Sequence, residues 1–404
     1  MVEMDKNNPT IPNPSSALPE GWRWVRLGEV CEICQYGLTT VATAKGAYPY
    51  IRITDFDDLG NIKTGGMKFI DCDENTCKKY ALKEGDILFA RSGSVGRTFL
   101  YSGVPPKAVF ASYLIRFRLK QELINPLWLF YFTHSPHYYE FIKEKTHTVS
   151  QPNVNAQEYK SLFIPLPPFP EQKRIAAKVQ ELMAEVERAR TACEKQLEAA
   201  KTLPSAYLRQ VFESDEAQKW VKGMLGEVCE IIMGQSPPGH TYNKDGKGLP
   251  FFQGKVDFGE VYPTPSSWCT EPKKVAESND VLISVRAPVG PTNLCNEKSC
   301  IGRGLAAIRS KGSINSQFIL FFLRFIERDI SKTGQGSTFG AIKREHLESM
   351  SIPFPPLPIQ QRLASQLKEK MTQAERLKAS IEKQMDAINA LPQAILKKAF
   401  IGEM

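Results

Sequence analysis

The chain has 404 residues, 42% of them hydrophobic, with 52 lysines and arginines against 44 aspartates and glutamates for a formal net charge of +8. That length supports two to three domains with sizeable cores, of an ordinary soluble class, and the longest apolar runs, 127–132 and 318–323, fall far short of the roughly 20 residues that cross a bilayer, so no membrane segment is expected. Weak, evenly spread positive charge permits nucleic-acid binding through folded surfaces without demanding it.

Residues 1–18 are polar and proline-rich, with no apolar stretch of the kind a secretion signal needs. They read as a disordered lead-in to a cytoplasmic protein. Residues 19–169 read as a mixed α and β domain. Strands are predicted at 48–54 (Y-P-Y-I-R-I-T), 86–90 (D-I-L-F-A) and 113–119 (Y-L-I-R-F-R-L), where Arg116 and Arg118 alternate with apolar residues at period two. An amphipathic helix near 126–143 follows, then a polar loop, T-H-T-V-S-Q-P-N, from Thr146. In 170–214, Ile175, Val179, Leu182, Val186, Ala189, Cys193 and Leu197 recur at three- and four-residue steps between charged residues, which is a coiled-coil seam. A second mixed domain, 215–357, has strands predicted at 248–253, 280–284 and 304–309, a helix near 316–330, and a loop, T-G-Q-G-S-T-F-G, from Thr333. A second seam in 358–404 runs through Leu363, Leu367, Ala374, Leu377, Ile381, Met385 and Ile388. Proline clusters set both helix starts, and Pro204 and Pro392 interrupt both patterns. Each helix is thus predicted to span about 32 residues, roughly 48 Å.

The chain is two copies of one unit. I-P-L-P-P-F-P-E-Q-K-R-I-A at 164–176 returns 188 positions later as I-P-F-P-P-L-P-I-Q-Q-R-L-A, with eight of thirteen letters identical, whereas L-G-E-V-C-E-I returns from Leu27 to Leu225 at an offset of 198. A repeat that drifts in its globular part and stays rigid in its helical part suggests a variable reader on a fixed spacer. Two narrow seams in one chain are expected to pack on each other, antiparallel, with the globular units at opposite ends of a rod and an approximate twofold between them; the alternative is that each helix packs on its own globular unit, which a wider apolar stripe would indicate. The fold class expected is therefore α+β: two mixed domains separated by two long helices in an antiparallel coiled coil.

Catalytic signatures are missing. Nine cysteines do not suggest a disulfide framework, and the C-x-x-C of Cys31 and Cys34 is answered in the second copy by Cys229 and Ile232, so reduced structural thiols are expected and no metal site. The glycine loops lack the Lys-Ser/Thr ending of a phosphate loop, no N-P-P-aromatic motif of an amino-methyltransferase occurs, and His134, His137, His147, His240 and His346 form no H-E-x-x-H or triad signature. Surface or capping roles are expected for the histidines.

The paired G-D-I-L-F-A-R-S-G-S-V-G (85–96) and D-V-L-I-S-V-R-A-P-V-G (280–290), the two P-P-x-P helix starts and the G-Q-G-S-T loop together resemble the specificity subunit of type I restriction-modification systems, over nearly the whole chain after its first eighteen or so residues. The resemblance implies two target recognition domains reading a bipartite double-stranded DNA site, no catalysis and no bound cofactor. It also implies two modification subunits that methylate adenine with S-adenosylmethionine, and restriction subunits that translocate and cut DNA with ATP and Mg. One departure is Ile359, where the first copy has Glu171.

Candidate DNA contacts follow from residue chemistry. Arg91, Ser92 and Arg97 surround the 93–96 turn, Arg286 sits beside the matching turn, and Arg303 lies between glycines; arginine pairs with guanine or binds phosphate. Lys145, His147, Ser150, Gln151 and Asn153, with Gln335, Ser337 and Thr338, offer hydroxyls, amides and charge in the two polar loops. Half-sites on one face of the duplex lie about one turn apart, near 34 Å, within reach of such a spacer. Because the two domains differ in sequence, the target is expected to be asymmetric. A stand-alone methyltransferase or nuclease and a coiled-coil scaffold without DNA specificity are the rival classes.

Overall fold

The computed structural model describes residues 18–63, 65–146, 152–335 and 341–404. Its contacts gather into two compact units, one holding the chain up to Cys193 together with Gln384–Met404, the other Glu194–Lys383.

In the first unit the predicted strands form the middle of two sheets. Ile87–Ala90 lies between Leu114–Leu119 and Thr98–Leu100, with Cys31–Tyr36 outermost, all antiparallel. Every residue of Ile87–Ala90 is fully buried, as a short unbroken apolar run requires of a central strand. Tyr48–Ile51 pairs antiparallel with Lys68–Ile70 and parallel with Val109–Phe110. The second unit repeats this plan, with Val281–Ser284 between Leu305–Ser310 and Thr292–Leu294, and Leu249–Phe252 parallel to Ser299–Ile301. Ile51 faces Phe110 as Phe252 faces Ile301, and Ala90 faces Leu114 as Ser284 faces Leu305. Positions can therefore be equated across the copies.

The same ion pair braces each sheet. Asp86 accepts from Arg118 through both oxygens, at 2.8 and 2.7 Å, and from the Lys83 backbone at 2.8 Å; Asp280 does so from Arg309, at 3.1 and 2.8 Å, and from the Glu277 backbone at 2.8 Å. Two-point geometry with a backbone donor satisfies a nearly buried carboxylate. The motif aspartates thus belong to the scaffold.

A second shared device explains why the proline-rich stretch recurs. Gln172, buried at the start of helix Phe169–Phe212, accepts from the Asn125 backbone N–H (2.9 Å) and donates to the Pro167 carbonyl (2.9 Å). Gln360, at the start of helix Leu357–Phe400, does the same with Asn315 (2.8 Å) and Pro355 (2.7 Å). Asn125 and Asn315 in turn cap the helices that follow them. Each long helix is thereby latched to its own domain. Glu171, replaced by Ile359, makes only a loose pair with Arg174 at 3.9 Å, so that departure removes a surface interaction of little energetic weight.

Both long helices run 44 residues, through Pro204 and Pro392, about 66 Å each and longer than expected from the prolines. An interior proline costs about 3 kcal/mol, and the residues beyond it offset that. Phe212 packs on Phe318, Phe322 and Phe325 in the second unit, and Phe400 packs on Trp128 and Phe132 in the first. The helices pair antiparallel inside each unit. In the first, Ile175 and Val179 share a core with Leu396, Ala399 and Phe400, and Arg174 donates to the Met404 carbonyl. In the second, Leu208 packs with Leu367, and Lys370 reaches Gln210 and the ring of Tyr207.

Most of the seam is half-buried or buried, Leu182, Val186, Leu363 and Ile381 included, but Ala189 is exposed and Leu377 is 46% exposed. The half-buried residue beside it is Lys378, whose ammonium pairs with Glu375 at 3.3 Å.

Two further expectations are corrected. The helix near 126–143 is two, Pro126–Phe132 and Pro136–Thr146: the Phe130 carbonyl, which a continuous helix would use for backbone, accepts instead from the Thr133 hydroxyl and His134 Nδ1, at 2.7 and 2.8 Å. Its counterpart divides at Ile326 into Ser316–Phe325 and Glu327–Gln335. Cys72 and Cys77 form a disulfide, where only reduced thiols were expected, because helix Glu74–Tyr80 turns Cys77 back onto the end of the strand preceding Cys72.

Candidate nucleic-acid interface

In the first unit the turn after Ile87–Ala90 is held from beneath. Tyr159, fully buried, donates to the Ala90 carbonyl at 2.7 Å and accepts from Gly96 N–H at 3.3 Å. Gly96 has φ +86°, and a Cβ there would lie 2.9 Å from Ile142, so the turn requires glycine. On this platform Ser92 bridges to Asn153, and Arg91 N–H donates to Tyr113 while its carbonyl accepts from Val154. The Arg91 guanidinium lies over the ring of Tyr36, 4.9 Å from its centroid. Tyr36, 39% exposed, is fixed by the Ala156 N–H donating to its hydroxyl at 3.0 Å. Sequence reasoning missed Tyr36; its alternation on the strand marks it as outward-facing, but only the fold sets it beside Arg91.

Arg97 is placed differently. It pairs with Asp58 and donates to the Ile53 and Phe56 carbonyls, tying the turn to a neighbouring loop. Lys145 sits in the last turn of its helix with its ammonium over Phe141. His147, Ser150 and Gln151 lie outside the described residues, as do Ser337 and Thr338 and the Gln335 side chain.

In the second unit Arg286 and Arg303, both exposed, converge on a cleft of about 210 Å³ together with Lys255, Gln253 and Ser236. Backbone forms part of its wall: a Cβ on Gly304 would lie 2.2 Å from the Gln253 carbonyl oxygen. The Arg303 N–H donates to the Ser236 hydroxyl oxygen at 3.4 Å. Among the described residues no carboxylate lines the cleft. Lys255 carried no signal in its own stretch, since F-F-Q-G-K resembles any strand end.

Among the described residues, nucleophiles and proton carriers are not assembled. Cys31 and Cys34 face the core across a strand bulge, and burial, with Cys34 adding repulsion, pushes the Cys31 thiol up to about 12. His134, expected at the surface or as a cap, is buried and caps Phe130, and burial holds its pKa low. Among the described residues no group of three His, Cys, Asp or Glu side chains is placed to hold a metal.

A family model described as the type I restriction modification DNA specificity domain matches this chain twice, at residues 19–198 and 217–384. A putative type I restriction enzyme specificity subunit, MjaX, of Methanocaldococcus jannaschii is 34% identical over 377 residues, covering 87% of each chain. The HsdS subunit from Thermoanaerobacter tengcongensis superposes with a TM-score of 0.70 at 35% identity, over 96% of this chain and 99% of that one. A chain from a structure described as the basis of complex assembly and conformational transition of the type I R-M system gives 0.75 at 36% identity, over 96% and 100%. The doubled scaffold, its two latches and these likenesses together place the chain in the family of type I restriction-modification DNA specificity subunits.

Proposed function

We propose that this chain reads an asymmetric bipartite DNA site, one short half-site per mixed domain, with the gap set by the paired helices. One observation carries the reading: the scaffold is the same in both units down to single hydrogen bonds, while the residues at matching rim positions differ in charge and kind. Target recognition is assigned to 19–169 and 215–357, and spacing to 170–214 and 358–404. Arg91, Ser92, Lys145, His147, Ser150, Gln151 and Asn153 serve the first half-site, with Tyr36 supporting Arg91. Arg286, Arg303, Gln335, Ser337 and Thr338 are the DNA contacts of the second unit, to phosphate or to base. Arg97 acts through the turn it anchors.

The partners are two modification subunits, which supply methyl transfer with S-adenosylmethionine, and restriction subunits using ATP and Mg; this chain contributes orientation and no reacting group. Expressing the chain with its modification partner and sequencing genomic methylation should give one gapped motif with unlike halves. Methyl transfer by the pure chain alone, or equal binding to random and cognate duplexes, would sink the reading.

A further inference from the structure

The cleft of the second unit carries charge that the shared scaffold does not require. Lys255 opens the short helix matching that of Ile53, and by the common register Arg286 and Arg303 stand where the first unit has Ser92 and Ser112. Three uncharged positions have become cations around one small space.

Nothing among the described residues neutralises them. The carboxylate of Asp257 is committed to the backbone N–H groups of Gln253 (2.7 Å) and Gly254 (3.4 Å). In the first unit, by contrast, Arg52 is held by Asp55, at 2.6 and 3.1 Å, and Arg97 by Asp58. Three converging like charges repel, and only an anion relieves all of them. A guanine edge is neutral and is satisfied by one arginine, whereas phosphate oxygens accept several charged donors. Ser236 Oγ accepts from Arg303 N–H and also bonds the Tyr242 hydroxyl, and Gly304 keeps side-chain bulk out of the wall.

We infer that this cleft holds a backbone phosphate of the DNA, so that the second unit is anchored by charge independently of sequence while the first has no equal anchor. The inference rests on the DNA-reading function above and adds Lys255 and Ser236 to it. Lys255, Arg286 and Arg303 are then positioning groups, and the bases of the second half-site are read by other residues.

The test uses the full chain with its modification partner, measuring affinity for a cognate duplex from 50 to 200 mM salt. Replacing all three cations, K255Q/R286Q/R303Q, should flatten the slope of log affinity against log salt by about 0.9, the share of the one phosphate no longer neutralised, with the methylated motif unchanged. The charge-conserving R286K/R303K should keep both slope and motif. An unchanged slope in the triple variant, or a relaxed second half-site in R286K/R303K, would overturn the inference. Equal affinity of the unaltered complex for cognate and random duplexes would strike the DNA-specificity reading instead, while the slope still tests the cleft.

Discussion

Arg91 and Arg97 stand six positions apart in one turn and do different work, and the difference is decided by what lies opposite each. Asp58 and two carbonyls occupy Arg97; an aromatic face steadies Arg91 without using its donors. Arg91→Ala, and more weakly Tyr36→Leu, should cost about 1–3 kcal/mol of discrimination at one base pair of the first half-site, leaving the second untouched; a competition assay with single-base variants of each half-site measures it. Both arginines have equal standing in the sequence, because Asp58 is brought to Arg97 only by the fold. A pH effect belongs to this scale too. Burial holds His134 and His137 below the ordinary 6.5, so below that value the unfolded chain binds protons the folded one does not. Stability is full above pH 6.5 and falls as pH drops beneath it. Wild type should therefore lose more Tm between pH 7.5 and 5.5 than His134→Gln, which has one titrating group fewer.

Among the elements, the six predicted strands were legible as apolar or alternating runs and lie within two residues of the observed centres, whereas shorter ones such as Lys68–Ile70 and Thr98–Leu100 carried too few letters to show a period. Helix ends were not. The prolines at 204 and 392 read as stops, but the aromatic residues eight positions later bury enough surface to carry the helix through. Phe400→Ala should cost about 3–5 kcal/mol and free the last turns from the first unit, which a urea titration with protease protection of that end would report. The glutamine latch was visible as a repeated letter and not as a function, since its partners Asn125 and Asn315 lie more than forty residues upstream. Gln172→Ala should cost about 2–4 kcal/mol, because it leaves a backbone N–H and carbonyl buried without partners.

For the molecule as a whole, a spacer test must respect the packing. Val179 is buried in the first unit's core, so a heptad beginning there cannot be removed without injuring the domain. Matched deletion of 186–192 and 384–390, which keeps the seam in register, should instead shorten the permitted gap. The change expected is about 10 Å, or roughly three base pairs, with both half-sites retained. Methylation mapping reads the outcome directly, and loss of either half-site would count against separate reading and spacing. The division into repeated units was open to sequence because the latch stretch keeps eight of thirteen letters at a fixed offset and an apolar seam follows it in each copy. The rim was not, because its chemistry depends on which loops meet.

The first unit is not built from continuous chain: Leu396, Ala399 and Phe400 complete a core begun by Trp22 and Val25. On a ribosome making 5–20 residues per second, the stretch from Cys193 to Phe400 takes roughly 10–40 s. The earlier-made domain must wait that long, with an apolar flank uncovered, for the tail that closes it, whereas the later-made one has all its parts at hand. Nascent chains stalled before Phe400 should therefore display one finished domain and one that still needs a chaperone.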